Sequence, residues 1–414
     1  MKRIYDPVHH FIELTSAEAA LLDSSPLQRL RRLRQLGLAY LAFPSAEHSR
    51  FGHAVGALAM GTGVFDTLLG HAAQYFASET DAAYQRRLLR AALLLHDIGH
   101  GPFSHACEAV LQVRHELRTR DILALPEMQR HFDALDVDPR EVLELIVGTD
   151  DAKYPVLREI VSGPNLDADR MDYLQRDAYF TGVLSGRYDA DQLLGSARIY
   201  EVRGRPVLGI DRRGVVALES FVVARYMMFA SVYFHHTTRM FERILQRVLD
   251  EVWPDPHALD PIDEFLRWDD FRVLNELRDS PSTAARALRE RLRLYAVVAE
   301  FNAESDLGTF ERCESALRER YGDAVWSDEQ SQLIHRLPLQ LDAESRTVWV
   351  GTASGSVVDA REASDLIKKL SGKAYWRKLF VERDRVDVAA ARDVCRKLSA
   401  TSERAGTQFE ARVR

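Results

Sequence analysis

An adjacent His96-Asp97 pair closes the apolar run Ala91 to Leu95, and Gly99, Gly101 and Pro102 then stop the helix. A carboxylate at a buried helix end is costly unless it is paired. An imidazole beside a carboxylate at such a point makes sense if both bind a cation. Neighbouring helical residues lie about 100° apart around the axis, so a long His and a short Asp can converge on one ion. Upstream, Glu47-His48-Ser49-Arg50-Phe51-Gly52-His53 opens a helix; downstream stand Asn165-Leu166-Asp167-Ala168-Asp169-Arg170-Met171-Asp172-Tyr173 and then Asp177. Together they offer two or three imidazoles and two or more carboxylates at helix ends. Mixed nitrogen and oxygen ligation of this kind suits Fe, Mn, Zn, Co or Ni, and carboxylates with water suit Mg. Gly61-Thr62-Gly63 lacks the third glycine of a dinucleotide fingerprint and reads as close helix packing; no Walker A loop, HExxH or nucleophile elbow is present.

The elements that must carry these groups are mostly helices. The apolar spacing at 27, 30, 33 and 36 after Ser24-Ser25-Pro26 predicts a helix over Leu21 to Leu36. Further helices are read at His53 to Leu69, Arg86 to His96, Glu141 to Val147 and Arg170 to Phe180. Val215 to Trp253 reads as one long helix or two. A short β-hairpin near 197–211 interrupts them, turning at Arg203-Gly204-Arg205-Pro206. After Pro254-Asp255-Pro256 the character changes. Residues 262–321 read as charged amphipathic helices, and Thr347 to Gly351, Ser364 to Leu370 and Trp376 to Val381 read as a small α+β unit. The expected fold is mainly α: a helical core over 1–255 carrying the hairpin, and a smaller helical and α+β portion over 256–414.

The chain has 414 residues, 46% hydrophobic and 28% charged, an ordinary balance for a globular protein with more than one packed unit. Its net charge of −7 gives no global attraction to nucleic acid or anionic membrane. The start, Met1-Lys2-Arg3 before IYDPVHHF, has no signal-peptide core. The apolar stretch Val215 to Phe234 carries Glu219 and Arg225, against a membrane span. Three cysteines without a CxxC spacing speak against a disulfide framework. A cytoplasmic location fits best.

The order HSRFGH, LLHDIGHGPFSH and DADRMDYLQRD resembles the HD-domain phosphohydrolases, and within them the deoxynucleoside triphosphate triphosphohydrolase branch that in animals is joined to a sterile-alpha-motif domain. The likeness runs from about Lys2 to Thr238. It implies an HD-type helical core with His53, His96, Asp97 and Asp169 as metal ligands. It implies catalytic roles for His100, His105 and the His115-Glu116 pair, one of His105 or His115 acting as general acid or leaving-group stabiliser with Glu108 or Glu116 orienting it. Arg50 and Arg170 match phosphate contacts, Arg170 standing where the animal enzyme has a lysine. Tyr173 and Asp177 match residues that pack the sugar and accept its 3′-hydroxyl. Gln35 and Leu36 match a pair that crowds a 2′-hydroxyl, which would select deoxyribose by exclusion. Tyr233 matches an aromatic near sugar and base.

The activity implied is hydrolysis of a dNTP to deoxynucleoside and triphosphate, by attack of metal-activated water on the α-phosphorus. One metal sits at the HD site and Mg accompanies the triphosphate. Lys2, Asp23, Gln28 and Arg31 resemble an activator site for GTP or dGTP, since an Asp can accept from the guanine edge. The family also implies a homo-oligomer, dimer or tetramer. A second reading keeps the metal site and changes the substrate to nucleoside monophosphates or another phosphoester. A third is a nucleotide-sensing or nucleic-acid-binding module, disfavoured by the intact ligand set and the lack of a long basic stretch.

Overall fold

The computed structural model describes residues 2–148, 152–163, 166–333 and 347–413, with side chains except at 105, 331–333 and 401–413. The chain opens with an antiparallel hairpin, β1 (Lys2–Asp6) and β2 (His10–Leu14), in which Lys2 pairs with Leu14 and Asp6 with His10. The helices α1 (Ser16–Leu22) and α2 (Ser25–Arg29) follow. A capping box at Thr15 and Glu18 starts α1.

The expected helix over Leu21 to Leu36 is not one helix. It breaks at Asp23-Ser24, resumes as α2, tightens to a 3-10 turn at Leu30–Arg32 and ends. Leu33 is extended: its N–H still reaches Leu30 O at 3.3 Å, but Leu33 O accepts from Arg50 N–H and Gln35 N–H donates to His48 O, both at 2.9 Å. A tertiary ladder thus overrides the helical spacing of the apolar residues.

The core is built on α3 (Arg50–His71) and α4 (Glu79–Leu95). Leu88 to Leu95 of α4 is buried throughout, except that Arg90 keeps a small exposed fraction. Arg90 is held by Glu18 at 2.5 Å and by the Glu13 carbonyl at 2.8 Å. Gly61 lets the two helices close up, because a Cβ there would lie 2.4 Å from Leu93 Cδ1. Helices α5 (His105–Leu111), α6 (His115–Leu123), α7 (Pro126–Leu135), α8 (Pro139–Val147) and α9 (Pro155–Ser162) surround this pair, and α10 (Ala168–Thr181) packs on α3.

After α11 (Ala190–Gly195), the expected hairpin appears as β3 (Ala197–Val202) and β4 (Arg205–Ile210). Its turn residues Arg203 and Gly204 both take positive φ, 55° and 75°, as a tight two-residue hairpin turn requires. The region 215–253 is two helices, α12 (Val215–Met228) and α13 (His236–Val252), joined through a π-turn at Phe229–Tyr233. Arg212–Tyr233 is the one helical stretch among the described residues long and apolar enough to cross a membrane. Its Ala217, Leu218, Phe221, Val222 and Met228 are buried in the main core.

Beyond 255 come α14 (Ile262–Leu266), α15 (Asp270–Glu276) and α16 (Thr283–Arg289), whose Phe265, Val273 and Ala285 join the same core. The expected helical run to 321 is interrupted by a strand, β5 (Tyr295–Phe301), before α17 (Leu307–Tyr321). The run YAVVAEF is rich in β-branched and aromatic residues, buried at Tyr295, Ala296, Val298 and Phe301, and pairs with a neighbour strand. Strand β6 (Val325–Leu333) follows, then β7 (Trp349–Gly351), β8 (Val357–Asp359), α18 (Ala360–Ala363), α19 (Asp365–Leu370), β9 (Lys373–Glu382) and α20 (Val388–Val413). Strands β5 and β6 flank β9 antiparallel, and α17 and α20 pack over that sheet around a second core. Strand β7 adds parallel to β4, so the hairpin and residues 349–359 share one sheet. The fold is mainly α, as the helical periodicity indicates.

Candidate active site

His53 sits one turn into α3 and is fully buried; His96 follows the last residue of α4. Each ring is fixed from behind. The Nδ1 of His53 donates to Asp172 Oδ2 at 2.7 Å, and the Nδ1 of His96 donates to the Leu93 carbonyl at 2.8 Å. Both Nε2 atoms therefore turn inward, 3.1 Å apart. Asp169, in the first turn of α10, brings Oδ1 to 3.0 Å from His53 Nε2 and 3.8 Å from His96 Nε2. Asp97 lies beside them, Oδ2 at 3.7 Å from His53 Nε2 and Oδ1 at 3.6 Å from His96 Nε2. The four expected metal ligands are thus brought to one point.

This donor set fits a divalent cation. Two imidazole nitrogens and carboxylate oxygens converge, with the far side of each imidazole already bonded, the arrangement that orients metal-binding histidines. The charges agree. Burial opposes a proton on His53, yet the carboxylates of Asp169 and Asp172 outweigh it and push the imidazole up to about 10. Burial likewise opposes ionisation of Asp169, but His53 and His96 hold it well below the usual carboxylate range. Positive charge is what this point favours. Asp169 is also the one of the four expected ligands that opens outward, with 36% of its side chain exposed.

A second cluster adjoins the first. His100 and His115 stack at 4.0 Å between centroids, and Glu108 Oε1 lies 3.4 Å from His100 Nδ1 and 2.9 Å from His115 Nδ1. His100 Nε2 is 3.3 Å from Asp97 Oδ1. Burial and the nearby Arg50 push His100 down to about 4, so it is neutral near pH 7. Glu108, not Glu116, is the carboxylate that orients these rings; Glu116 bonds Arg114 and stays 3.7 Å from His115. His105 starts α5, and its side chain lies outside the described residues. The loop between the clusters is strained: Phe103 and Ser104 both have positive φ, 53° and 56°.

Both clusters open into a cavity of about 660 Å³. Gln35, Leu36, Arg50, Arg170, Tyr173, Asp177 and Tyr233 line it, every substrate residue expected from the sequence. Arg50 donates to Asp97 Oδ2 at 2.5 Å and to Ser104 Oγ at 2.8 Å. Arg170 is turned to its own helix start, bonding Asp167 and the Gly163 carbonyl. Asp177 accepts from His48 Nε2 on one oxygen and from Tyr233 Oη on the other, each at 2.7 Å. The π-turn is what swings Tyr233 to this point.

Some of the wall escapes a reading of the sequence. Arg225, Arg239, Arg243, Trp326 and Gln330 also line the cavity. Arg239 is clamped by Asp328 at 2.7 and 2.9 Å. Arg29, fully buried, ties the site loop to the following helices by donating to the carbonyls of His100 and Trp268. Asp270 accepts the backbone N–H of both Arg34 and Phe103. The sole sequence signal for these is polarity on otherwise apolar faces. Lys2, Asp23, Gln28 and Arg31 lie away from the cavity: Lys2 bonds Asp23 at 3.1 Å, and Arg31 bonds Gln28 at 2.9 Å.

The HD associated region family matches residues 188–377. A Bacillus subtilis relative, the uncharacterized protein YwfO, is 31% identical over 414 residues, covering 92% of each chain. A hypothetical protein from Aquifex aeolicus, of known crystal structure, superposes with a TM-score of 0.80 at 30% identity, over 95% of this chain and 99% of the other. Human deoxynucleoside triphosphate triphosphohydrolase SAMHD1 is 30% identical over 237 residues, 49% of this chain and 37% of that one. The chain belongs to the HD-domain phosphohydrolases. The family is metal-dependent, and the cluster at the meeting of α3, α4 and α10 is this chain's candidate metal-binding group, beside the cavity.

Proposed function

We propose that this protein hydrolyses deoxynucleoside triphosphates to deoxynucleoside and triphosphate. The observation that carries the reading is continuity. The cluster of His53, His96, Asp97 and Asp169 opens into the same cavity as Tyr173, Asp177, Tyr233 and the Gln35-Leu36 edge. The human relative, SAMHD1, is named for this reaction.

His53, His96, Asp97 and Asp169 would hold the divalent ion, one of Fe, Mn, Zn, Co or Ni, with Mg accompanying the triphosphate. Such an ion makes water nucleophilic at neutral pH and neutralises charge on phosphate. Arg50, Arg170 and Arg225 supply cationic donors along the phosphates. Asp177, held by His48 and Tyr233, accepts the sugar 3′-hydroxyl, and Tyr173 packs the ring. Leu36 crowds the position of a 2′-hydroxyl. The bond broken joins the α-phosphorus to the 5′-oxygen. In this reading His115, steadied by Glu108, or else His105, returns a proton to that oxygen.

Lys2, Asp23, Gln28 and Arg31 form the site we assign to a GTP or dGTP activator, in a protein we expect to be a homo-oligomer. Product analysis tests the whole. Purified protein with Mg or Mn and each dNTP, alone and with GTP, should release deoxynucleoside and intact triphosphate, and Asp169→Ala should release neither. Silence with every dNTP in metal-loaded protein overturns the assignment.

A second reading keeps the centre and takes a nucleotide with fewer phosphates. It is favoured by Arg50 and Arg170 being engaged by Asp97 and Asp167. Release of inorganic phosphate from nucleoside monophosphates would select it.

A further inference from the structure

Behind the metal-site face of α3 lies a second, buried arrangement that the proposed reaction leaves unused. Asp172 has no solvent exposure, and its four acceptor positions are all filled. Oδ2 accepts from His53 Nδ1 at 2.7 Å and from Arg176 Nε at 2.9 Å. Oδ1 accepts from Arg176 Nη2 at 2.9 Å and from His9 Nε2 at 2.6 Å. His9 comes from the turn between β1 and β2, 163 residues away in sequence.

That turn is itself built to present His9. Asp6 Oδ1 accepts the backbone N–H groups of Val8 and His9, both at 2.9 Å, and Asp6 Oδ2 accepts from Arg176 Nη1 at 2.8 Å. The turn and α10 thus close a ring of charge-assisted bonds, to which α3 is tied through His53. Room for it is made in α3 by Gly56, where a Cβ would lie 1.9 Å from Asp172 Oδ1 and 2.1 Å from Arg176 Nη2. On its outer side His9 lines a separate cavity of about 720 Å³, together with Gln175 and Tyr188. His9 therefore touches both Asp172 and that space.

We propose that His9 is a positioning residue for the metal centre: by filling the last acceptor position of Asp172, it fixes the carboxylate that holds the His53 ring with Nε2 facing the cluster. The inference rests on the metal placement proposed above. Without His9, water from the outer cavity reaches Asp172, the carboxylate can turn, and His53 loses its fixed orientation. Partners of metal-ligating histidines carry roughly 10- to 100-fold of metal affinity.

The test is Co(II) titration of the metal-free, full-length protein, read by visible absorption, beside thermal unfolding without metal. His9→Ala, one bond further out than Asp172, should weaken Co(II) binding by up to roughly 10-fold and alter the band positions. His9→Gln, whose amide nitrogen reaches the place of Nε2, should restore both. If His9→Ala shows no cooperative unfolding, His9→Met takes its place as a space-filling variant without a donor. A hairpin strap with no role at the metal lowers the melting temperature but leaves affinity and bands at wild-type values, and that result overturns the inference. Binding that survives His53→Ala overturns the metal placement and the inference with it. Binding that needs His53 but not His9 overturns the inference alone.

Discussion

His53 and His96 face each other with Nε2 atoms 3.1 Å apart, each ring anchored through Nδ1 to a different acceptor, Asp172 for one and the Leu93 carbonyl for the other. Two imidazoles arranged this way present lone pairs to a shared point, and the anchors leave neither ring free to turn away.

Removing the metal or one of its holders should therefore be decisive. Chelation, Asp169→Ala or His53→Ala should each lower turnover by at least about 100-fold. Metal content of the purified variants, measured alongside, should fall with the activity. Full activity in metal-free protein contradicts the assignment.

Asp177 is fixed by two donors, so loosening one should be felt in substrate binding. Tyr233→Phe deletes a hydrogen bond to a buried carboxylate, worth about 1.5–3 kcal/mol. The expected result is a KM raised roughly tenfold with a smaller change in kcat. An unchanged KM would show that Asp177 does not meet the sugar.

Gly56→Ala tests the closeness of α3 to the Asp172-Arg176 pair. The added methyl has no room, because the nearest atoms belong to a buried salt bridge. Overpacking and a displaced ion pair together should cost about 3 kcal/mol. A urea midpoint equal to wild type would mean that the two helices separate more readily than their packing indicates.

Asp270 gives the stability a pH dependence of known sign. Burial raises its carboxyl to about 6, against the two backbone N–H groups and Arg34 that pull it down. The folded state then holds a proton that the unfolded chain has already released, so stability falls as pH rises from about 4 to about 6 and levels off above. The rise from 3.8 corresponds to about 3 kcal/mol. Wild type minus Asp270→Asn, followed by denaturant unfolding across that window, should show the decline; a flat difference refutes it.

The Lys2-Asp23 pair is exposed on both sides, 46% and 60%, and adds less than about 1 kcal/mol to stability. Asp23→Ala should leave the melting temperature near wild type while removing any stimulation of dNTP hydrolysis by GTP. Stimulation that persists in the variant places the activator elsewhere.

The donor residues of the centre were legible because their chemistry is local. His96-Asp97 ends an apolar helix whatever surrounds it, and helical spacing alone sets Tyr173 and Asp177 one turn apart on α10. Of the acids of DADRMDYLQRD, the family resemblance assigned Asp169 and Asp177, whereas the work of Asp167 and Asp172 was not legible. Asp167 caps the helix and holds Arg170, Asp169 faces the cavity, Asp172 lies behind His53, and Asp177 meets His48 and Tyr233. Those roles depend on which neighbour each helix face meets.

The same boundary separates the elements. Helices with a sustained apolar period, the β3-β4 turn and the mainly α class follow from local propensity, since 3.6-residue spacing and a Gly at positive φ act within a few residues. Leu33 to Gln35 reads as helix in isolation and leaves the helix because residues 48–50 offer it hydrogen bonds and a bridge from outside its own turn. Tyr295 to Phe301 becomes a strand because β9 supplies an edge, and His9 reaches Asp172 because packing closes a gap of 163 residues. The sequence by itself determined which groups can bind a metal and phosphate. The tertiary structure decided which of them meet, because hydrogen bonds and buried charges are satisfied by whatever partner packing brings within about 3 Å.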